Sequence, residues 1–316
     1  MSRYLVQRLA ESAVVLLVMS FVIYGLIGLM PGDPIDVMIT ANPDVTPEDA
    51  ARLRALYGLD RPIGERYLSW LGAAVQGDFG YSRLHAQPVL EILWPRLGTT
   101  VLLMGVSFAL AFAIALPAGI AAAARPRTVT DTSINLVAFA GISLPPFWLA
   151  ILLIILFAVV LGWLPAGGMP DRGAGLAEQA RFYALPVATL TIATLGGIIR
   201  FVRAATMEAL RQDYVRTAWA KGLGERQVMF GHVLRNAMIP VVTILALNFG
   251  TLFSGALITE TMFGTLGMGK TIYDAILGND YNLALIGLLL ATLTTLLANL
   301  AADLCYAWLD PRITYD

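Results

Sequence analysis

Cysteine, histidine and charge are the scarce components of this 316-residue chain, and each scarcity closes off a class of function. A single cysteine, Cys305, cannot form an intrachain disulfide, so no disulfide framework is available. The two histidines, His85 and His232, stand alone, and no His or Cys grouping has metal-ligand spacing. A membrane or soluble enzyme built on clustered nucleophile, base or metal ligands lacks its parts here. Charged residues make up 14% of the chain, against the ~25% of an ordinary soluble domain. With a net charge of -1, no nucleic-acid partner is expected.

What is abundant is apolar sequence, 58% of the residues at a mean hydropathy of +0.72. It is gathered into six runs nearly free of charge: Ser12 to Met30, Leu97 to Ala124, Ile134 to Leu161, Phe182 to Ile199, Asn236 to Thr259 and Tyr281 to Ala302. A helix needs about 20 such residues to cross the roughly 30 Å hydrocarbon core, so the runs predict an all-α polytopic membrane protein with six transmembrane helices. Charge marks their ends sharply, because one Arg, Lys or Asp at mid-span costs about 2.5 to 3.5 kcal/mol and each Leu or Ile returns only about 0.3 to 0.6. Pro117, Pro145, Pro146, Pro186 and Pro240 fall within or at the ends of the runs and predict kinks. The first run exceeds the h-region of a signal peptide and lacks a small-residue cleavage pattern, so it reads as an uncleaved span.

With six spans the N-terminus, the second and fourth loops and the C-terminus share one side. Those segments carry Arg3, Arg8, Arg125, Arg127, Arg200, Arg203, Arg211, Arg216, Lys221, Arg226, Arg235 and Arg312; the two short opposite loops carry only Arg172, Arg181 and Lys270. The positive-inside rule then places both termini in the cytoplasm. The expected organisation is an N-terminal tail and first span (1–30), an external helical loop subdomain (31–96), a five-helix core (97–307) containing a cytoplasmic loop at 200–236, and a cytoplasmic tail (308–316). Within the first loop, Thr46 reads as an N-cap with Glu48 and Asp49 in the following turn.

The stretch "GTLGMGKT" satisfies the phosphate-binding formula GxxxxGK[ST] at Gly264, Gly269, Lys270 and Thr271. That formula has meaning only between a strand and a helix. Here it follows an apolar helical run, lies on the external side of the predicted topology, and has no α/β domain to carry it. It reads as a glycine-rich external turn leading into a short helix near Thr271.

The fourth loop, "RFVRAATMEALRQDYVRTAWAKGLGERQVMFGHVLRN", has neither Gly nor Pro from Met207 to Lys221, and Gly222 stands where a helix would close in a left-handed cap. Tyr214, Val215, Ala218 and Trp219 share one face by their spacing, with Arg211, Arg216 and Lys221 around them. Four roles fit such an amphipathic helix: lying on the anionic membrane surface, enforcing topology, packing on the chain's own spans, or docking into a partner's groove.

This loop resembles the EAA loop of ABC-importer permeases, and in detail that of the branch for dipeptides and oligopeptides. Anchored on Gly222, the general motif's Glu-Ala-Ala positions fall on Arg216, Thr217 and Ala218 and its later ones on His232, Leu234 and Arg235, so the first acid is absent and the terminal proline stands at Pro240. The peptide branch has its own version, similar to "DYVRTAWAKGLGERQV" followed by "HVLRNAMIPVVT". Resemblance extends along the chain through "RYLVQRL", "MPGDP", "YGLDRPIGERYLSWLGAAVQGDFGYS", "SLPPFWLA", "LGWLPAGG", "ETMFGTLGMGKTIYDAI" and "NLAADLCYAWLDPRI".

The resemblance implies the type I ABC-importer (MetI-like) permease fold and no chemistry in this chain. It implies one half of a two-permease pore, driven by two cytoplasmic ATPase subunits that bind ATP and Mg, and fed by an extracytoplasmic solute-binding protein. It makes Asp213, Tyr214, Arg216, Thr217, Ala218, Trp219, Lys221, Gly222 and Arg235 the ATPase-coupling residues, with Tyr214, Ala218 and Trp219 as packing contacts. Gly264, Gly267, Gly269 and Lys270 become an external loop near the pore mouth. Polar positions within spans, Thr189, Thr194, Asn248, Thr292, Thr295 and Asn299, are candidates to line the path, although hydroxyl residues also serve as ordinary helix contacts in membranes. A secondary transporter, the alternative, would show internal repeats and a midplane charge, and neither is found.

Overall fold

The computed structural model describes residues 2–29, 60–171 and 173–309, with isolated positions between 46 and 55. Among them there is no strand, only one isolated bridge between Tyr81 and Pro88. The helices are α1 (Ser2–Gly28), α2 (Ile63–Val75), α3 (Val89–Ala124), α4 (Val129–Ser143), α5 (Pro146–Leu153), α6 (Leu176–Leu210), α7 (Asp213–Ala220), α8 (Glu225–Val228), α9 (Leu234–Phe263), α10 (Met268–Leu277) and α11 (Tyr281–Leu309). π-helical turns at Ile154–Val160 and Met229–Val233 extend α5 and join α8 to α9. The chain divides into two compact units, one of residues 1–98 and 270–294, the other of 99–269 and 295–316.

Among the described residues four helices, α1, α3, α6 and the first 21 residues of α11, are long and apolar enough to cross a membrane, and the α4–α5 pair makes up to five. The fifth apolar run forms α9, 30 residues with Pro240 inside; side-chain placement at 242–255 lies outside the described residues. The third run bends at the prolines that predicted a kink, and far enough to break the helix. It breaks after Ser143, and the two halves meet at 100°. Leu144 is forced extended (φ -90°, ψ 121°) because it precedes Pro145, and α5 restarts with Pro146 in its first turn, where the missing N–H costs nothing.

In the first unit α1 packs on α2 through an aromatic cluster. Tyr67 meets Phe21 edge-on at 5.2 Å, and its hydroxyl lies 2.9 Å from Ser20 Oγ. The rest of α1 leaves Val14, Leu17, Val18 and Leu26 about half exposed or more, an apolar surface that water would not tolerate and a bilayer would. In the same unit Asp280, 1% exposed, accepts from Ser82 Oγ at 2.5 Å and from the N–H groups of Leu84 and Leu283 at 3.0 and 3.3 Å. The Arg83 guanidinium donates to the Gly278 carbonyl, so the 77–88 turn is clamped to the start of α11. Thr46 and Asp49 form the reciprocal cap expected of them, Asp49 N–H to Thr46 Oγ1 and Thr46 N–H to Asp49 Oδ2, each 3.2 Å.

The core of the second unit is made of small and β-branched residues: Ala111 and Ala115 of α3, Ala138 of α4, Ile198, Val202, Ala205 and Ala209 of α6, and Val233, Ala237 and Val241 after it. Short side chains let backbones approach, the main source of helix attraction where lipid is as apolar as leucine. Gly196 of α6 lies so close to the Ala138 carbonyl of α4 that a Cβ there would collide with it.

Candidate functional site

Between α6 and α9 the chain leaves the long helices and folds a basic segment onto their ends. α6 continues unbroken to Leu210, so the expected single helix from Met207 to Lys221 is two. The joint is Arg211–Gln212, with Gln212 extended (φ -74°, ψ 150°) ahead of α7. α7 ends as its sequence requires. Gly222 takes φ 78°, its N–H reaches the Trp219 carbonyl at 2.9 Å, and the Leu223 N–H reaches Ala218 at 3.3 Å. This is the Schellman arrangement, open to glycine because it has no Cβ to strain in the left-handed region.

Only half of the face that spacing grouped on α7 turns inward. Val215 (1% exposed) and Ala218 (3%) enter the core with Ala209, Val228, Met229 and Val233, and Leu223 packs beside them. Ala218 is therefore a residue of the chain's own core. Asp213, Tyr214, Arg216, Thr217, Trp219, Lys221 and Gly222 are exposed, as are Arg226, Phe230 and Arg235 beyond them. Trp219 and Tyr214 present 46% and 37% of their surface, and partial desolvation pushes the Tyr214 phenol above its ordinary range, so it stays neutral. Arg216 leans on Asp213 at 3.6 Å, an exposed i,i+3 pair worth little. The outward face thus combines two aromatics with a cationic rim. Beside it, the end of α6 carries an open groove of about 480 Å³ lined by Arg203, Ala204, Met207, Glu208, Arg211 and Gln212.

A second polar site shares Arg203 with that groove. Asp131, 4% exposed, receives both arms of Arg203, Nε to Oδ1 at 2.7 Å and Nη2 to Oδ2 at 2.8 Å. It also accepts from the Arg127 N–H at 2.9 Å and from Asn135 Nδ2 at 2.6 Å, while its own N–H reaches the capping Thr128 Oγ1 at 3.4 Å. Arg127 sits at φ 62°, a strained conformation for a residue with a side chain. Sequence reading passed over Asp131 and Arg203, although Thr128-x-x-Asp131 is a capping-box pattern that signals a helix start.

The phosphate-formula stretch has no phosphate cradle around it. It follows the helix α9, closed by Gly264 at φ 62°, and no strand precedes it. α10 begins at Met268, three residues before the expected start at Thr271. Gly267 lies against the carboxylate of Glu260 and Gly269 against the Leu257 backbone, 2.6 Å from where a Cβ would stand. Glu260, fully buried and likewise missed in the sequence, accepts from Thr100 Oγ1 at 2.5 Å, and the same oxygen of Thr100 accepts the Met268 N–H at 2.8 Å. The turn is thereby tied to the end of α9 and to the body of α3. Lys270 Nζ lies 2.7 Å from Asp274 Oδ2, one helical turn on.

Thr189 is wholly buried with its hydroxyl on the Leu185 carbonyl at 2.9 Å. Thr194 and Thr292 are half-buried and bond the carbonyls of Leu190 and Leu288, both at 2.9 Å. Thr295 is half-buried and Asn299 exposed; the side chain of Asn248 lies outside the described residues. No group of three or more His, Cys, Asp or Glu residues able to hold a metal occurs among the described residues.

Long apolar helices with an exposed apolar surface, and a capped basic helix with an exposed aromatic and cationic face, define a multi-pass membrane protein. The chain belongs to the family of inner membrane components of binding-protein-dependent transport systems: residues 115–315 match that family's main domain and residues 1–104 its N-terminal one. It is 40% identical over 316 residues to a peptide permease protein of Brucella ovis, covering 99% of each chain. It is 36% identical over 318 residues to the oligopeptide transport system permease protein AppB of Bacillus subtilis, and 36% over 315 to the glutathione transport system permease protein GsiC of Escherichia coli K12, covering 100% of each chain in both cases. Its fold is similar to that of the MetNI methionine ABC transporter in inward-facing conformations, at a TM-score of 0.59 and 19% identity, over 71% of this chain and 98% of that one. The chain is a transport permease subunit and not an enzyme.

Proposed function

We propose that the chain is one of two membrane subunits of an ATP-driven importer of peptides or chemically related small solutes. Full-length similarity to permeases named for peptide and glutathione transport carries this reading. On it, six spans surround half of the path, both termini lie in the cytoplasm of a bacterial cell, and the inner membrane holds the complex. A second, related permease completes the pore, two cytoplasmic ATPase subunits supply ATP and Mg, and an extracytoplasmic binding protein delivers the solute.

The exposed face of α7 is the ATPase contact. Trp219 and Tyr214 enter the ATPase groove, Arg216, Lys221 and Arg235 meet its acidic rim, and Gly222 sets the helix end. Gly264, Gly267, Gly269 and Lys270 lie at the pore mouth, and Thr194, Asn248, Thr292, Thr295 and Asn299 are candidates for the path. Closure of the ATPases displaces α7 and tips the spans between two access states, a rigid-body transition. The test is uptake into vesicles holding the complete complex, with a panel of di-, tri- and oligopeptides and glutathione on the binding protein. ATP-dependent accumulation of one of these is the expected result. Accumulation driven by an ion gradient without ATP would overturn the reading.

A further inference from the structure

We propose that Asp131 and Arg203 are positioning residues that join the third span to the docking helix, so that both move as one body when the ATPases close. The inference rests on the reading of α7 as the ATPase contact. Arg203 lies near the end of α6, and only Arg211 and Gln212 separate that helix from α7. Val215 and Ala218 of α7 share a core with Val202, Ala205 and Ala209 of α6, so a displacement of α7 is passed to the end of α6 by packing that has no slack. At α4 the same core contributes Ala138, and a directional polar contact adds to that packing.

The Asp131–Arg203 pair supplies that contact. Both guanidinium arms are engaged, at 2.7 and 2.8 Å, which fixes the approach in two directions where a lysine would fix a point. Asp131 is itself immobilised: it is 4% exposed and held by Arg127 N–H and by Asn135 on its own helix. The chain between residues 125 and 128 is thereby tied to the same carboxylate. Further along the same helix pair, Gly196 seats on the Ala138 carbonyl, so α4 and α6 are keyed at two levels. Neither residue is on α7 or among the candidate path residues. The work of the pair is to make the lever stiff.

The experiment uses the complete complex in vesicles and reads solute imported per ATP hydrolysed, together with the amount of ATPase subunit retained. Asp131→Asn keeps the size and several hydrogen bonds but removes the charge; the expected result is retained ATPase subunits, retained basal hydrolysis and an import-to-ATP ratio lowered about tenfold. Arg203→Lys, a milder change that keeps the charge and guards against a folding failure, is expected to lower the ratio less. Asp131→Asn with Arg203→Gln should be no worse than the worse single variant, because both remove one contact. A purely structural role would reduce the quantity of complex and leave the ratio unchanged, and that result, or additive losses in the double variant, overturns the proposal. Loss of ATPase subunits from the Asp131→Asn complex overturns it too. Retention of those subunits by a Trp219→Asp complex would instead show that the reading of α7 has failed.

Discussion

Placing an aspartate at position 218 or at position 219 should produce opposite failures, although the two residues are neighbours on one short helix. Ala218 is 3% exposed among Val215, Val228, Met229 and Val233, with no cation in that cluster. A carboxyl confined there must stay protonated at pH 7. Starting from an ordinary value near 3.9, about three units at 1.36 kcal/mol each give a cost of about 4 kcal/mol before any steric overlap. That is a large part of the 5 to 15 kcal/mol typical of a folded domain. Trp219 is 46% exposed, so an aspartate in its place should change stability by less than about 1 kcal/mol. It removes an aromatic anchor instead, and such anchors cost about 2 kcal/mol or more when truncated, roughly thirtyfold in affinity. The assays are thermal unfolding of the detergent-purified chain and retention of the ATPase subunits on an affinity-tagged complex. Ala218→Asp should unfold at clearly lower temperature. Trp219→Asp should unfold like wild type and lose the ATPases. An Ala218→Asp chain as stable as wild type would refute the inward packing of that face, and a Trp219→Asp complex that keeps its ATPases would refute the outward one.

Two further outcomes concern the turn after α9. Thr100→Val removes a hydroxyl that donates to Glu260 and accepts the Met268 N–H, and leaving both buried groups short of a partner should cost about 2 to 5 kcal/mol, read as a lowered unfolding temperature. Lys270→Ala removes an exposed pair with Asp274 and should cost less than about 1 kcal/mol. The same variant should leave the complex's basal ATP hydrolysis intact and alter uptake if anything; hydrolysis abolished with assembly intact would restore the phosphate-site interpretation of "GTLGMGKT".

The long apolar runs and the charges at their ends were legible because the cost of burying a charge in lipid is paid residue by residue, wherever the rest of the chain lies. The stop of α7 at Gly222 was legible for a similar reason, since the left-handed cap is a property of one residue's backbone. The split between α6 and α7 was not: from Met207 to Lys221 every residue accepts a helix, and nothing local marks Arg211–Gln212 as the joint. Spacing grouped Tyr214 and Trp219 with Val215 and Ala218 on one broad face, but it could not say which part of that face would find a core. The aromatics stayed out, and Val215 and Ala218 pack with Ala209, Val228 and Val233 in their place.

By itself, then, the sequence determined the solvent in which this protein folds, the approximate limits of its spans, the absence of a strand before its phosphate formula, and the cap of its basic helix. All four follow from costs borne within a few residues. Tertiary structure alone decided the rest: the inward side of α7, the 100° turn in the third run, Arg203 on Asp131 across 72 positions, and Thr100 on Glu260 across 160. Those contacts exist only once remote helices have packed at a set distance, and no local preference encodes that distance.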